Sequence, residues 1–265
     1  MIYSAKLKGR QTMTYHESTP ALRPVGIYDG ILLVDKPSGP TSHDVVAMIR
    51  SQFRFDKVGH GGTLDPQATG LLVVLIERGT KLSNAFLNSD KTYEGTLRLG
   101  ISTDTQDAQG VVIKEGDSSH VTREMLEREM RNFTGDMMQP PPMVSAAKKD
   151  GVPLYKLARR GKTVEREPKL IHVYGFDMVD FTPPRARFVL RCTKGTYVRT
   201  LCSDLGDKLG CGAHLEQLRR TVAGDMKIED ATPAIELAKL TKEELLQKII
   251  PMHKFLRRIA IGPRR

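Results

Sequence analysis

The sequence predicts an α+β fold, and three observations point there. Short apolar runs bounded by turn residues read as buried strands, Ile31 to Val34 and Leu71 to Ile76 being the clearest. Other stretches carry apolar residues at helical spacing, as at Val198, Leu201, Cys202, Leu205 and Leu209. The two kinds are interspersed without the regular strand–helix–strand alternation of a doubly wound parallel sheet. At 265 residues the chain can bury a sizeable core as one large domain or two small ones.

Taken in order, residues 1–25 are polar and hold no apolar h-region. They predict a loose extension rather than a secretory signal. Ile31 to Val34 form the first strand, and DKPSGP is a turn cluster. Thr41 with Asp44 three residues on resembles a capping box, and behind it Val45, Met48, Ile49 and Phe53 follow helical spacing. The segment KVGHGGTLDPQATG precedes the strand Leu71 to Ile76. KTYEGTLRLG reads as a third strand and ISTDTQDAQG as a polar turn. Leu126, Met130 and Phe133 mark an amphipathic helix that starts near Thr122.

The proline-rich, basic stretch from Gln139 to Glu167 predicts a long surface connection with one short helix. Leu170 to Phe181 and Ala186 to Cys192 are expected strands, separated by TPPR. A helix then begins near Tyr197 and closes at Gly210. Pro233 to Ile250 is expected to be helical, ahead of the tail HKFLRRIAIGPRR, which has five Lys or Arg and no acid.

Composition narrows the function classes. Lys and Arg number 41 against 31 Asp and Glu, a formal charge of +10 that suits a polyanionic partner such as nucleic acid. Cys192, Cys202 and Cys211 are odd in number and lack zinc-ligand spacing. A disulfide framework is therefore not expected, and a reducing cytoplasm is. No apolar run reaches the length of a membrane span.

Three segments could carry chemistry. In GHGGTLDPQATG, glycines surround Asp65. The glycines suggest phosphate binding, but the segment lacks a GKS or GKT ending and leads into a strand, so it fails both the P-loop and the dinucleotide templates. A structural turn capped by Asp65 stands as the plain alternative. In KGTYVRTLCSDLG, Arg199 falls in a first helical turn, where the helix dipole disfavours cations. That place suggests an anionic partner, with a solvated surface arginine as the alternative. In SDKTYEG, Tyr93 beside basic residues could stack on a base or sit half-buried in the core.

In this order and spacing the segments resemble the TruB family of bacterial tRNA pseudouridine-55 synthases. VDKPSGPTSHDVV is similar to the family's opening motif, GHGGTLDPQATGLL to its catalytic motif, and SDKTYEGTLRLGISTDTQDAQG and KGTYVRTLCSDLGDKLGCGAHLEQLRR to two later ones. The resemblance spans roughly residues 26–220. It implies a pseudouridine synthase fold: a central mixed, mainly antiparallel sheet flanked by helices and loops. It implies isomerisation of the T-loop uridine of tRNA, without redox cofactor, metal or ATP.

Residue roles follow from the matching positions. Asp65 matches the nucleophile, Arg199 the arginine that pairs with it, and Tyr93 the tyrosine that stacks on the target base and is implicated in removing the C5 proton. His60 matches a histidine that holds the base extruded, and Tyr197 and Leu218 match substrate-pocket positions. Lys36, Gly62 and Pro66 match positions that support the loop. Partners are expected to be tRNA through its T-loop, with no membrane and no metal, and the chain is expected to act as a monomer.

Two departures stand out. Gly61 occupies a position where the family commonly has Thr, and the added glycine is expected to loosen the loop. Residues 26–227 are the expected catalytic domain, and 228–265 suffice for a helix and a basic tail but not a complete PUA domain. Two further readings compete: a guide-RNA-dependent relative, and a non-catalytic RNA-binding or tRNA-folding protein.

Overall fold

The structure is a computed structural model that describes residues 26–261; the extension expected at 1–25 and the last four residues of the basic tail lie outside them. The chain begins with β1 (Gly30–Lys36), α1 (Ser42–Phe53), β2 (Val58–His60) and β3 (Thr69–Ile76). A 3-10 turn and α2 (Ser83–Leu87) lead to β4 (Lys91–Leu99). A small hairpin of β5 (Ile101–Thr103) and β6 (Val112–Glu115) precedes α3 (Arg123–Asn132) and β7 (Gly135–Gln139). The proline-rich connection holds a second small hairpin, β8 (Lys148–Lys149) with β9 (Val152–Pro153), and α4 (Leu154–Ala158). Then come β10 (Lys169–Thr182), β11 (Arg185–Cys192), α5 (Val198–Lys208), β12 (Ala213–Ala223) and β13 (Met226–Lys227). The described chain ends with β14 (Thr232–Pro233), α6 (Ala234–Leu237), α7 (Lys242–Lys248), β15 (Ile250–Pro251) and α8 (Met252–Ile261).

One sheet dominates, in the order β14-β1-β3-β12-β4-β11-β10-β7. Within it β1/β14 and β3/β12 are parallel and the remaining pairs antiparallel, which is the mixed, mainly antiparallel sheet that the sequence predicts. The uninterrupted apolar runs of β1 and β3 exist because both faces are covered. Leu32, Val34, Leu72, Val74 and Ile76 face the larger core with α1 and α5, while Ile31, Leu33, Leu71, Val73 and Leu75 face Phe86, Met226 and Phe255. Period-two alternation still operates, but both sets are apolar.

Local signals set the helix starts. Thr41 and Asp44 form the complete capping box of α1, each side chain bonded to the other's backbone amide. Thr122 caps α3 through its hydroxyl.

One segment differs from expectation, and another carried none. Residues 233–250 are not one helix: the chain breaks after Leu237, and α7 restarts behind its own Thr241–Glu244 capping box. The residues after α5 form β12, the strand between β3 and β4. Two bulges, at Leu215/Gln217 and Arg220/Val222, break its alternation and hide it from a period-two reading.

Candidate active site

The loop from Gly61 to Ala68 leaves β2 and enters β3, and neighbours hold it at several points. From one side, Lys36 is fully buried and its Nζ donates to the carbonyls of Pro37, Pro40 and Pro66 at 2.8–2.9 Å. Burial lowers its pKa to about 8. The amide of Gly39 donates to the same Pro66 carbonyl. At the start of α1, the Ser42 hydroxyl donates to the Leu64 carbonyl at 3.0 Å and accepts from the Leu64 amide at 2.8 Å. From the other side, Arg220 of β12 donates to the carbonyls of Gly62, Thr63 and Leu71 at 3.0, 3.3 and 2.7 Å. Gly62 has φ +147°, a conformation that favours glycine.

Gly61 is pinned rather than slack. Its amide bonds the Val73 carbonyl at 2.8 Å, and a Cβ there would lie 2.4 Å from Cβ of Phe86. The ring of Phe86 stacks on Phe255 of α8 at 4.8 Å. Close packing of this phenylalanine requires the missing side chain, so the expected loosening does not occur.

Asp65 sits at the crest of the loop. Its backbone carbonyl closes a turn with Ala68, but its carboxylate turns to Arg199, 3.4 Å away. Side-chain capping of the turn is therefore not its arrangement. Burial raises the Asp65 pKa; the Arg199 charge opposes this, Asp107 adds to it, and Lys36 works against it. The side chain is still 45% exposed at the mouth of the site, so a ligand can reach it.

Arg199 is buried in the first turn of α5. Three acceptors offset its unfavourable place at a helix N-terminus: Asp65, Asp107 at 3.3 Å, and the Val144 carbonyl. Gln139 of β7 steadies the same helix end, accepting from the Tyr197 amide and donating to the Tyr197 carbonyl. Asp107 in turn accepts from the Thr105 hydroxyl and the Gln109 amide. It lies in the stretch that the sequence presents as a mere polar turn. Thr200, beside Arg199, ties that stretch to α5 through Gln106.

The Asp65–Arg199 pair lines a cavity of about 300 Å³. Asp65, Tyr93, Tyr197, Arg199, Leu218 and Arg220 all face it. Tyr93 is 9% exposed; burial raises its pKa, and the Arg220 charge opposes that. Leu218 also borders a larger polar groove of about 730 Å³ that runs past Glu94, Gln109, Arg187 and Glu216. His60 is not in the cavity wall: it lines a separate groove with Arg50, Lys57 and Thr80. Its Nδ1 accepts from the Gly62 amide at 3.3 Å, and burial lowers its pKa, so the ring is neutral near pH 7. Sequence reasoning missed Asp107, Arg220 and Lys91, whose Nζ donates to the carbonyls of Phe86, Leu87 and Ser89.

Among the described residues no group of three or more His, Cys, Asp or Glu side chains could hold a metal ion. No described helix is long and apolar enough to cross a membrane.

Comparison with known proteins gives a consistent result. Residues 50–198 match the family model described as TruB family pseudouridylate synthase (N terminal domain), and residues 199–260 match that of the tRNA pseudouridylate synthase B C-terminal domain. The tRNA pseudouridine synthase B of Opitutus terrae is 49% identical over 85% of this chain and 94% of its own. That of Geobacter sulfurreducens is 46% identical over 84% of this chain and 73% of its own. Among solved structures, a chain of a Cbf5–Nop10–Gar1 complex superposes with a TM-score of 0.68 at 30% identity, covering 86% of this chain. This chain spans 61% of that one. An H/ACA ribonucleoprotein bound to a substrate RNA containing 2′-deoxyuridine superposes at 0.65 with 27% identity.

Proposed function

Because the chain belongs to the TruB family of pseudouridylate synthases, we propose that it isomerises the T-loop uridine of tRNA to pseudouridine with Asp65 as nucleophile. The observation that carries this reading is the Asp65–Arg199 pair facing a 300 Å³ cavity beside Tyr93.

The target base in a folded RNA is stacked, so it must be extruded to expose C1′ and C5. Extrusion costs a few kcal/mol, and stacking on an aromatic ring returns about 1–3 kcal/mol per base. Tyr93 supplies that ring. His60, outside the cavity, is placed to meet the RNA around the extruded base rather than the base itself. Asp65 opens the N1–C1′ bond, by attack at C1′ or through elimination to a glycal. The uracil leaves with the bonding electrons on N1, turns, and C5 bonds to C1′; on the first route this breaks the Asp65–C1′ bond and frees the carboxylate, and on the second Asp65 takes the C2′ proton and returns it as C5 adds. The C5 proton is lost, with Tyr93 nearest to the task, and N1 gains one. The change is redox-neutral and needs no cofactor. Arg199, oriented by Asp107, keeps the carboxylate ionised in a site that burial would otherwise neutralise.

Residues 26–227 form the catalytic domain in this reading, and 228–265 a helical and basic continuation. The protein acts as a cytoplasmic monomer, without a metal. Incubation with unmodified tRNA followed by carbodiimide primer extension tests the activity. A stop at the T-loop uridine is expected; RNA binding without that stop overturns the reading. Likeness to the Cbf5-containing complex favours a second reading, a guide-RNA-dependent enzyme. Identity of 49% to the Opitutus relative against 30% there favours the stand-alone form. Turnover of free tRNA without guide RNA separates the two.

A further inference from the structure

Arg220 is among the largest side chains that the protein buries completely. Its guanidinium bonds backbone carbonyls rather than a carboxylate. Burying an unpaired cation is costly, and a sheet needs no charge to satisfy three carbonyls. The surroundings sharpen the question: Lys36, His60 and Lys91 all feel the Arg220 charge and are disfavoured as cations by it.

The strand register supplies an answer. In the β12–β4 ladder Arg220 lies directly opposite Tyr93, so both side chains leave the same face of the sheet. The bulge that follows Arg220 is the kind of irregularity that re-aims a side chain beside a site. Both side chains line the same cavity, and the Arg220 charge favours the ionised form of the Tyr93 phenol against its burial. A guanidinium can only donate, so it favours the phenol oxygen, and not the hydroxyl proton, on its own side. That preference turns the proton towards the cavity that Tyr93 lines. At the same time Arg220 grips Gly62 and Thr63, three and two residues before Asp65.

We propose that Arg220 is a positioning residue for the reaction: one buried guanidinium fixes the loop that carries Asp65 and orients the Tyr93 hydroxyl towards the nucleotide. The carboxylate and the phenol thereby keep one mutual geometry. The inference rests on the functional reading above for its catalytic half, and on this structure alone for the clamp.

The test uses Arg220→Lys, which keeps the charge but loses the planar fork, with Arg220→Gln as the second variant should the first not fold. Three readouts are taken on the full chain: single-turnover rate at saturating tRNA, tRNA affinity, and amide hydrogen exchange over residues 61–68. The rate is expected to fall on the order of 10²-fold, the loss typical of a misplaced catalytic group, with affinity changed by less than about threefold. Exchange at 61–68 is expected to quicken while α3 stays as protected as in the wild type. In a Tyr93→Phe background the same Arg220→Lys change should cost clearly less, because the two residues act through one contact. Unaltered exchange with an unaltered rate overturns the proposal. Equal fold-losses in both backgrounds overturn its Tyr93 half. Should the wild type form no pseudouridine, the functional reading fails, and the exchange measurement still decides the clamp.

Discussion

At Asp65 two effects oppose each other: burial favours the neutral acid, and Arg199 favours the carboxylate. The net direction is upward from 3.8, so the ionised carboxylate is lost at a higher pH than that of an exposed aspartate. A single-turnover pH profile should therefore show an acid limb above the ordinary carboxylate range. Arg199→Gln removes the opposing charge and should move that limb further up; a limb unmoved by it would show that Arg199 does not hold the carboxylate. Asp65→Asn should abolish turnover and leave tRNA affinity within about threefold, since an amide of the same size keeps the contacts but is no nucleophile. Asp107 pairs with the same guanidinium nitrogen of Arg199 as Asp65 does and is itself buried. Asp107→Asn should lower the rate by about 10²-fold through misplacement, with affinity unchanged.

Among the elements, the loop that carries Asp65 is held by β1, α1 and β12 as well as by its own glycines. Lys36→Met would leave the Pro37 and Pro40 carbonyls without a donor and take one of the two donors from Pro66. A loss of about 1–3 kcal/mol in urea unfolding is expected, the usual penalty for buried polar groups left unpaired. Which elements were legible in the sequence follows from the range of the forces that make them. The Thr41 capping box is readable because it closes over three residues. β1 and β3 are readable because burial on both faces leaves an unbroken apolar run. β12 is not, because two bulges break its pattern and Arg220 is turned to the cavity. Asp107 is not either, since the contact that gives it meaning joins positions 92 residues apart. Asp65, Tyr93 and Arg199 were legible together by family resemblance, whereas each alone reads equally well as a turn cap, a core tyrosine and a surface arginine. His60 shows the limit of that route: a motif gave its neighbourhood and not its groove.

For the molecule as a whole, the charge of +10 makes RNA attraction salt-dependent. Affinity for tRNA should fall at least about tenfold between 50 and 200 mM salt, checked by filter binding, and a flat response would remove the backbone contribution. The C-terminal elements are woven into the same body: β14 and β15 both pair with β1, and α8 places Phe255 on Phe86, which fills the space over Gly61. That last contact makes positions 61 and 86 a linked pair in any comparison of relatives. A side chain at the first position fits without overlap only where the phenylalanine is replaced by something smaller. Gly61→Thr alone should cost about 1–3 kcal/mol by overpacking, and Phe86→Ala should recover part of that cost although Phe86→Ala is itself damaging in the parent chain. Each change is costly alone, whichever comes first, so the two positions are bound to change together or not at all.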